Sequence, residues 1–159
     1  MSVPSGKAAS TTVSRIINAP RQAVYQAFLE ADSVAKWYHP HDMTMHIHTF
    51  EPREGGKFRV SLRYGDAKNS PGGKTSEDMD TYHGTFARLV PNETIVQVIE
   101  FETQDPGFAG EMRITTTLAD ADGGTEVTVL TEDMPTSVRP EDNELGGRMA
   151  LENLAALLE

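Results

Sequence analysis

Histidine is the densest reactive side chain in this sequence. His39, His41, His46 and His48 fall within ten residues, and His83 follows later. His46 and His48 stand two apart in a stretch that alternates as a strand, so their imidazoles share a face, as a two-histidine metal site requires. Asp42 supplies a carboxylate of the kind that completes such a ligand set. Surface or cavity-lining imidazoles on a polar edge satisfy the same spacing, and spacing fixes no third ligand, so no metal and no cofactor is assigned. Glu100 and Glu102 are the carboxylates to weigh for acid–base chemistry, which needs titratable groups turned into a dry site. A solvated outer face is the preferred reading for them, because an unpaired buried carboxylate is costly. No serine sits in a Gly-x-Ser-x-Gly elbow, and neither Gly55-Gly56 nor Gly72-Gly73-Lys74 opens a helix as a phosphate-cradling loop does.

The elements that must position these groups are set by a chain of 159 residues, enough for one domain with a sizeable core. The formal charge is −10, from 14 basic and 24 acidic residues. Without clustered Lys and Arg, a nucleic-acid backbone or an anionic membrane surface is not an expected partner. The absence of cysteine excludes disulfides, thiolate catalysis and Cys-based metal sites. No apolar run reaches membrane-spanning length and residues 1–10 lack a signal-peptide core, which together predict a cytoplasmic protein.

Residues 1–9 read as a loose tail and residues 10–159 as one domain. A first strand is expected over residues 10–18, then a helix opened by Ala19-Pro20 with a buried stripe of Val24, Ala27, Phe28 and Ala31. Asp32 or Ser33 can cap a second short helix ending at Trp37-Tyr38. His39-Pro40 breaks it, since a residue before proline is pushed out of helical geometry. Strands follow. Phe58, Val60, Leu62 and Tyr64 alternate with Lys57, Arg59, Ser61 and Arg63, the clearest half-buried pattern in the chain. Residues 65–80 form a polar loop, residues 82–90 and 93–102 a hairpin across Pro91-Asn92, and Met112, Ile114, Thr116 and Leu118 the inward side of a further strand. Residues 137–159 end the chain as a helix, with Pro140 in its first turn and Glu144 placed to pair with Arg148. Its apolar arc is read as Gly146, Met149, Ala150, Leu154, Leu157 and Leu158. Gly146 and Gly147 each weaken a helix by about 1 kcal/mol relative to alanine, so either the backbone packs closely there or space is left for something else.

The order of strand, two helices, about six strands and one long helix predicts an α+β fold: a strongly curved antiparallel sheet whose concave face is covered by the last helix. A helix lying in such a sheet leaves a pocket between the two. The candidate inner wall is Phe58, Val60, Leu62, Phe86, Met112, Ile114, Met149 and Leu154, with Trp37 and Tyr38 at its rim.

The segment Ala19-Pro20-Arg21-Gln22-Ala23-Val24-Tyr25-Gln26-Ala27-Phe28 resembles the opening helix of helix-grip (START-like, SRPBCC superfamily) domains. Val34-Ala35-Lys36-Trp37-Tyr38 is similar to the usual motif ending in two tryptophans, and Arg53-Glu54-Gly55-Gly56-Lys57-Phe58 to a motif with proline where Glu54 stands. Tyr82-His83-Gly84-Thr85-Phe86 resembles the strand motif built around a glycine. The final nine residues are close to the typical C-terminal helix. The branch resembled is the one named for the C-terminal domain of the heat shock protein 90 ATPase activator. It commonly carries Gly-Trp where this chain has Gly146-Gly147, so the resemblance implies a larger pocket here.

The preferred expectation is a helix-grip protein that binds a small, largely apolar molecule beneath the C-terminal helix without catalysis. Trp37, Tyr38, Phe58, Tyr82, Phe86, Gly147 and Leu151 are expected around the ligand, and Gly147→Trp is expected to block it. A polyketide cyclase-, dehydratase- or hydrolase-like enzyme in the same cavity is the alternative, and it would use His46, His48, His83 and Glu100. A chaperone-interacting module, which the family name suggests, ranks last. The protein is expected as a monomer or a homodimer.

Overall fold

A computed structural model of the chain describes residues 9–41, 43–64 and 79–159, with Tyr64 described in its backbone alone. The expected tail and most of the loop at residues 65–80 therefore lie outside the described residues. The elements run β1 (Thr11–Ile17), α1 (Arg21–Leu29), α2 (Ala31–Trp37), β2 (Met43–Phe50), β3 (Lys57–Tyr64), β4 (Met79–Val90), β5 (Thr94–Phe101), β6 (Glu111–Ala121), β7 (Gly124–Glu132) and α3 (Pro140–Leu158), with a 3-10 turn at Pro106–Phe108. The strands form one seven-stranded antiparallel sheet in the order β1-β7-β6-β5-β4-β3-β2. This is the curved sheet and long helix of the helix-grip fold.

Pleating sorts the side chains onto two faces. Register places Phe58 opposite Gly84, Gly84 opposite Ile99, and Ile99 opposite Met112, so one transverse row of the inner face crosses four strands. A Cβ at Gly84 would lie 2.9 Å from the Phe58 ring and 2.1 Å from the Val98 carbonyl oxygen, which is why that row needs a glycine. Register shifts interrupt the pairing between Ile47 and Thr49 and between Phe86 and Arg88. Bulges of this kind bend a strand and increase its twist.

Helix α3 runs beside the edge strand β1 and is tied to it at both ends. Thr11 Oγ1 donates to Asn143 Oδ1 near its start, and the Asn18 amide donates to the Glu159 carboxylate at its end (2.9 Å). The Glu144–Arg148 pair forms as spaced, at 2.9 Å. The buried face of α3 differs from the expected arc. It carries Ala150, Leu151, Leu154 and Ala155, while Leu157 is 39% exposed. Residues 150, 151, 154 and 155 repeat at three and four along one stripe, and Leu157 falls off its side.

Helices α1 and α2 are nearly continuous and are separated by Glu30, whose extended backbone (φ −117°, ψ 121°) is the N-cap position of α2. The expected caps Asp32 and Ser33 instead lie inside the helix. Arg21 holds α1 to the far end of the sheet through Asp120 and the Asn92 carbonyl, both at 3.0 Å. Val24, Ala27 and Phe28 then close that end against the core. Among the described residues, no helix is long and apolar enough to cross a membrane.

Candidate functional site

The N-terminal half of α3 lines one side of a cavity of about 660 Å³, with the sheet and the end of α2 on the other. Arg139, Asp142, Asn143, Gly146, Gly147 and Ala150 line it from the helix side. One turn further on, Leu151, Leu154 and Ala155 are buried in the core and the cavity ends. Arg139 and Asp142 line the cavity with side chains 69% exposed, so it reaches the surface beside the start of α3.

The two glycines answer differently to the question their sequence raises. A Cβ on Gly147 would meet Val13 Cγ2 at 3.1 Å, closer than ordinary contact, so Gly147 serves close packing of α3 on β1. A Cβ on Gly146 would meet only Pro40 Cγ, at 3.7 Å, so that position borders open space. Both glycines line the cavity, but a side chain at 147 must first crowd Val13, whereas one at 146 has open space to enter.

The aromatic wall is assembled by α2 and the strands. Trp37 is 1% exposed, and its indole N–H donates to the Ala27 carbonyl (2.9 Å). Its ring stacks on Tyr38 with centroids 4.6 Å apart and planes within 8°. Phe28 meets both rings edge-on, at 4.7 Å and 5.8 Å. The end of α2 is held by Asn153 of α3, whose side-chain amide donates to the carbonyls of Trp37 (3.3 Å) and His39 (2.9 Å). Those carbonyls belong to the helix terminus, where acceptors lack intrahelical partners. From the sheet, Tyr82 and Phe86 both pack against Phe58, at 6.4 Å and 5.1 Å.

Polar groups interrupt this wall on the sheet side as well as along α3. Burial pushes the Tyr38 phenol up to about 12, and it raises Tyr82 as well, with the neighbouring Tyr38 adding to the shift. Both phenols are therefore neutral donors at pH 7. Neither hydroxyl makes a hydrogen bond among the described residues. Asp80, two residues before Tyr82 on the same face of β4, lines the cavity and is 2% exposed. Gln97 also lines it at 8% exposure, and its side-chain oxygen has no partner.

Of the residues expected around a ligand, Tyr38, Phe58, Tyr82 and Gly147 line the cavity. Trp37, Phe86 and Leu151 do not: they are 1%, 0% and 2% exposed and form the layer behind the wall. Of the wider inner wall, Val60, Leu62, Met112 and Ile114 line the cavity while Met149 and Leu154 lie outside it. The parity that would have disclosed Gln97 was present, since Ile95, Gln97, Ile99 and Phe101 alternate inward. Asp80 shares Tyr82's parity in the same way. Phe108 comes from the 3-10 turn and carried no periodic signal.

The histidines do not converge. His39 alone lines the cavity, with its Nδ1–H donating to the Pro40 carbonyl (2.8 Å). His41 pairs with Glu152 on the surface at 3.1 Å. His46, His48 and His83 share the face of Ser61 and Thr81, opposite to the cavity. There His48 Nε2 lies 2.8 Å from Ser61 Oγ, and His46 and His48 meet edge-on at 4.6 Å. His83 sits between Glu100 (3.4 Å) and Glu102 (3.0 Å), and Glu102 receives two hydrogen bonds from Arg59. Asp42, weighed as a metal ligand, lies outside the described residues. Among the described residues, no three His, Asp or Glu side chains gather as metal ligands.

Residues 18–159 match the profile of a family described as Activator of Hsp90 ATPase homolog 1-like protein. No curated protein matches the chain. Among solved structures, a protein from Chromobacterium violaceum is 29% identical, with 94% of this chain and 96% of that one covered at a TM-score of 0.83. A protein from Arthrobacter aurescens (16% identity, 94% and 85% covered, TM-score 0.77) and the AHSA1 protein from Silicibacter pomeroyi (12% identity, 94% and 97% covered, TM-score 0.76) share its fold.

Proposed function

The chain belongs to the Activator of Hsp90 ATPase homolog 1-like family, and from that premise we propose that it binds a small, largely apolar molecule in the cavity under α3, without catalysis. The observation that carries this reading is the cavity itself. Its volume of about 660 Å³ falls within the range of ligand sites, and its wall is predominantly apolar and aromatic with polar groups set into it, the usual composition of such sites. Burying an apolar guest there is driven by roughly 25 cal/mol for each Å² removed from water. The groups that an enzymatic alternative would use, His46, His48, His83 and Glu100, face the other side of the sheet, which favours binding over turnover. We take the setting to be the cytoplasm, a reading supported by the cysteine-free composition.

The test uses N-phenyl-1-naphthylamine, a neutral apolar fluorophore. The wild type is expected to bind it saturably at one site, and Gly146→Trp to abolish that binding while the variant still melts cooperatively. Saturable binding that is unchanged in Gly146→Trp would place the probe elsewhere and overturn the assignment, as would no binding by the folded wild type.

A further inference from the structure

The cavity holds two hydrogen-bond donors that the protein itself leaves unused. The Tyr38 and Tyr82 hydroxyls come from different elements, the end of α2 and the strand β4, and both residues line the same cavity. Neither has a hydrogen-bond partner among the described residues. In an empty cavity water can serve them, but an apolar guest that fills the space expels that water, and a buried donor left without an acceptor is costly. A guest that brings an acceptor of its own avoids that cost and binds more tightly.

The charges around the cavity decide what kind of acceptor. Among the described residues, the basic side chains in its wall are Arg139 and His39. Arg139 is exposed and already lies 3.7 Å from Glu141 and 4.0 Å from Asp142, while His39 has its Nδ1–H committed to a backbone carbonyl. Asp80 contributes a buried carboxylate to the wall on the same strand face as Tyr82. With Arg139 paired at the surface and His39 committed, an anionic ligand would lose its hydration without a counter-charge from these two side chains. A neutral oxygen does not bear that penalty.

We infer that Tyr38 and Tyr82 make the cavity selective for neutral molecules with a carbonyl oxygen on an apolar body, such as a ketone, quinone, ester or lactone, held by hydrogen bonds from the two phenols. This rests on the binding reading above and names the chemistry that reading leaves open. Selectivity of this type comes from polar groups that stay unpaired when the wrong ligand binds.

Three probes of similar outline test it by isothermal titration: 9-fluorenone, fluorene and fluorene-9-carboxylate, each against the wild type and a Tyr38→Phe/Tyr82→Phe double variant. The wild type is expected to bind fluorenone at least tenfold more tightly than fluorene, and the carboxylate more weakly than either. The double variant is expected to lose that preference through weaker fluorenone binding while its affinity for fluorene stays the same, which also shows that the cavity is intact. Equal wild-type affinities for fluorenone and fluorene, a preference that survives in the double variant, a fall in both affinities together, or tightest binding by the carboxylate would each overturn the inference and leave the binding reading standing. Failure of all three probes to bind the folded wild type would overturn both.

Discussion

Adjacent glycines in one helix should respond differently to the same methyl group. Replacing either Gly146 or Gly147 by alanine removes a helix-weakening residue, a gain of about 1 kcal/mol for each. At Gly146 the new methyl lies 3.7 Å from Pro40 Cγ, an ordinary contact, so the gain is kept. At Gly147 it lies 3.1 Å from Val13 Cγ2, short of the favourable carbon–carbon separation by at least ~0.4 Å. Val13 is 7% exposed on a strand that α3 grips at both ends, so it has little freedom to retreat. Overpacking of this kind costs about 1–3 kcal/mol, which leaves Gly147→Ala between neutral and about 2 kcal/mol destabilised. The two variants therefore differ by about 1–3 kcal/mol, or about 2–12 °C in melting temperature for a chain of this size. Urea unfolding measures both, and Val13→Ala added to Gly147→Ala isolates the contact: the double-mutant cycle should show a stabilising coupling of about 0.5–3 kcal/mol. If Gly147→Ala were as stabilising as Gly146→Ala, or the cycle showed no coupling, the argument that Gly147 exists for close packing would be refuted.

Acid should weaken the fold in two stages. Desolvation, then Arg59 and His46, hold the His48 imidazole below its ordinary 6.5, so its contribution is complete above that pH and is lost as pH falls through the lower folded value. Hydrogen bonding from Arg59 first, and from His83, outweighs the opposing effect of burial and holds Glu102 below its ordinary 4.5, so its contribution disappears only in stronger acid. A urea midpoint followed from pH 7 downward should lose the upper stage in His48→Gln and the lower stage in Glu102→Gln; unchanged profiles would count against these assignments. Asn153→Leu leaves the Trp37 and His39 carbonyls without their side-chain donor and should destabilise the protein by about 1–3 kcal/mol. The same variant should weaken N-phenyl-1-naphthylamine binding, because Tyr38 and His39 follow the end of α2; full affinity in a destabilised variant would show that the clamp does not position the wall.

Periodicity made the sheet and its covering helix readable, because Phe58, Val60 and Leu62 or Met112, Ile114 and Leu118 have only one way to hide a face. It gave the wrong edge of the α3 stripe, since Leu157 is as apolar as Leu158 and only the position of β1 decides which is covered. The cavity was readable as a place but not residue by residue. Trp37 and Phe86 are the large aromatics a pocket would be expected to use, yet large rings also fill the layer behind a wall, and here they do so. Gln97 was obscured by its apolar neighbours Val96 and Val98, whose alternation competes with that of Ile95 and Ile99. The histidine pair was placed correctly on one face of a strand, but the choice between cavity and solvent depended on the bulge at residues 47–49 and on pairing with β3, neither of which is encoded locally.

The stack of Trp37 on Tyr38 gives the protein an optical address. This is the chain's one tryptophan, its indole is shut away from water, and a single intervening ring separates it from the cavity. Its emission should sit to the blue of an exposed indole, and a molecule settling against Tyr38 changes the electrostatic surroundings of the emitter without touching it. Every photon from an indole then comes from one known position at the wall. Occupancy can be followed in unlabelled protein, and also in dilute mixtures where a calorimeter has too little heat to read.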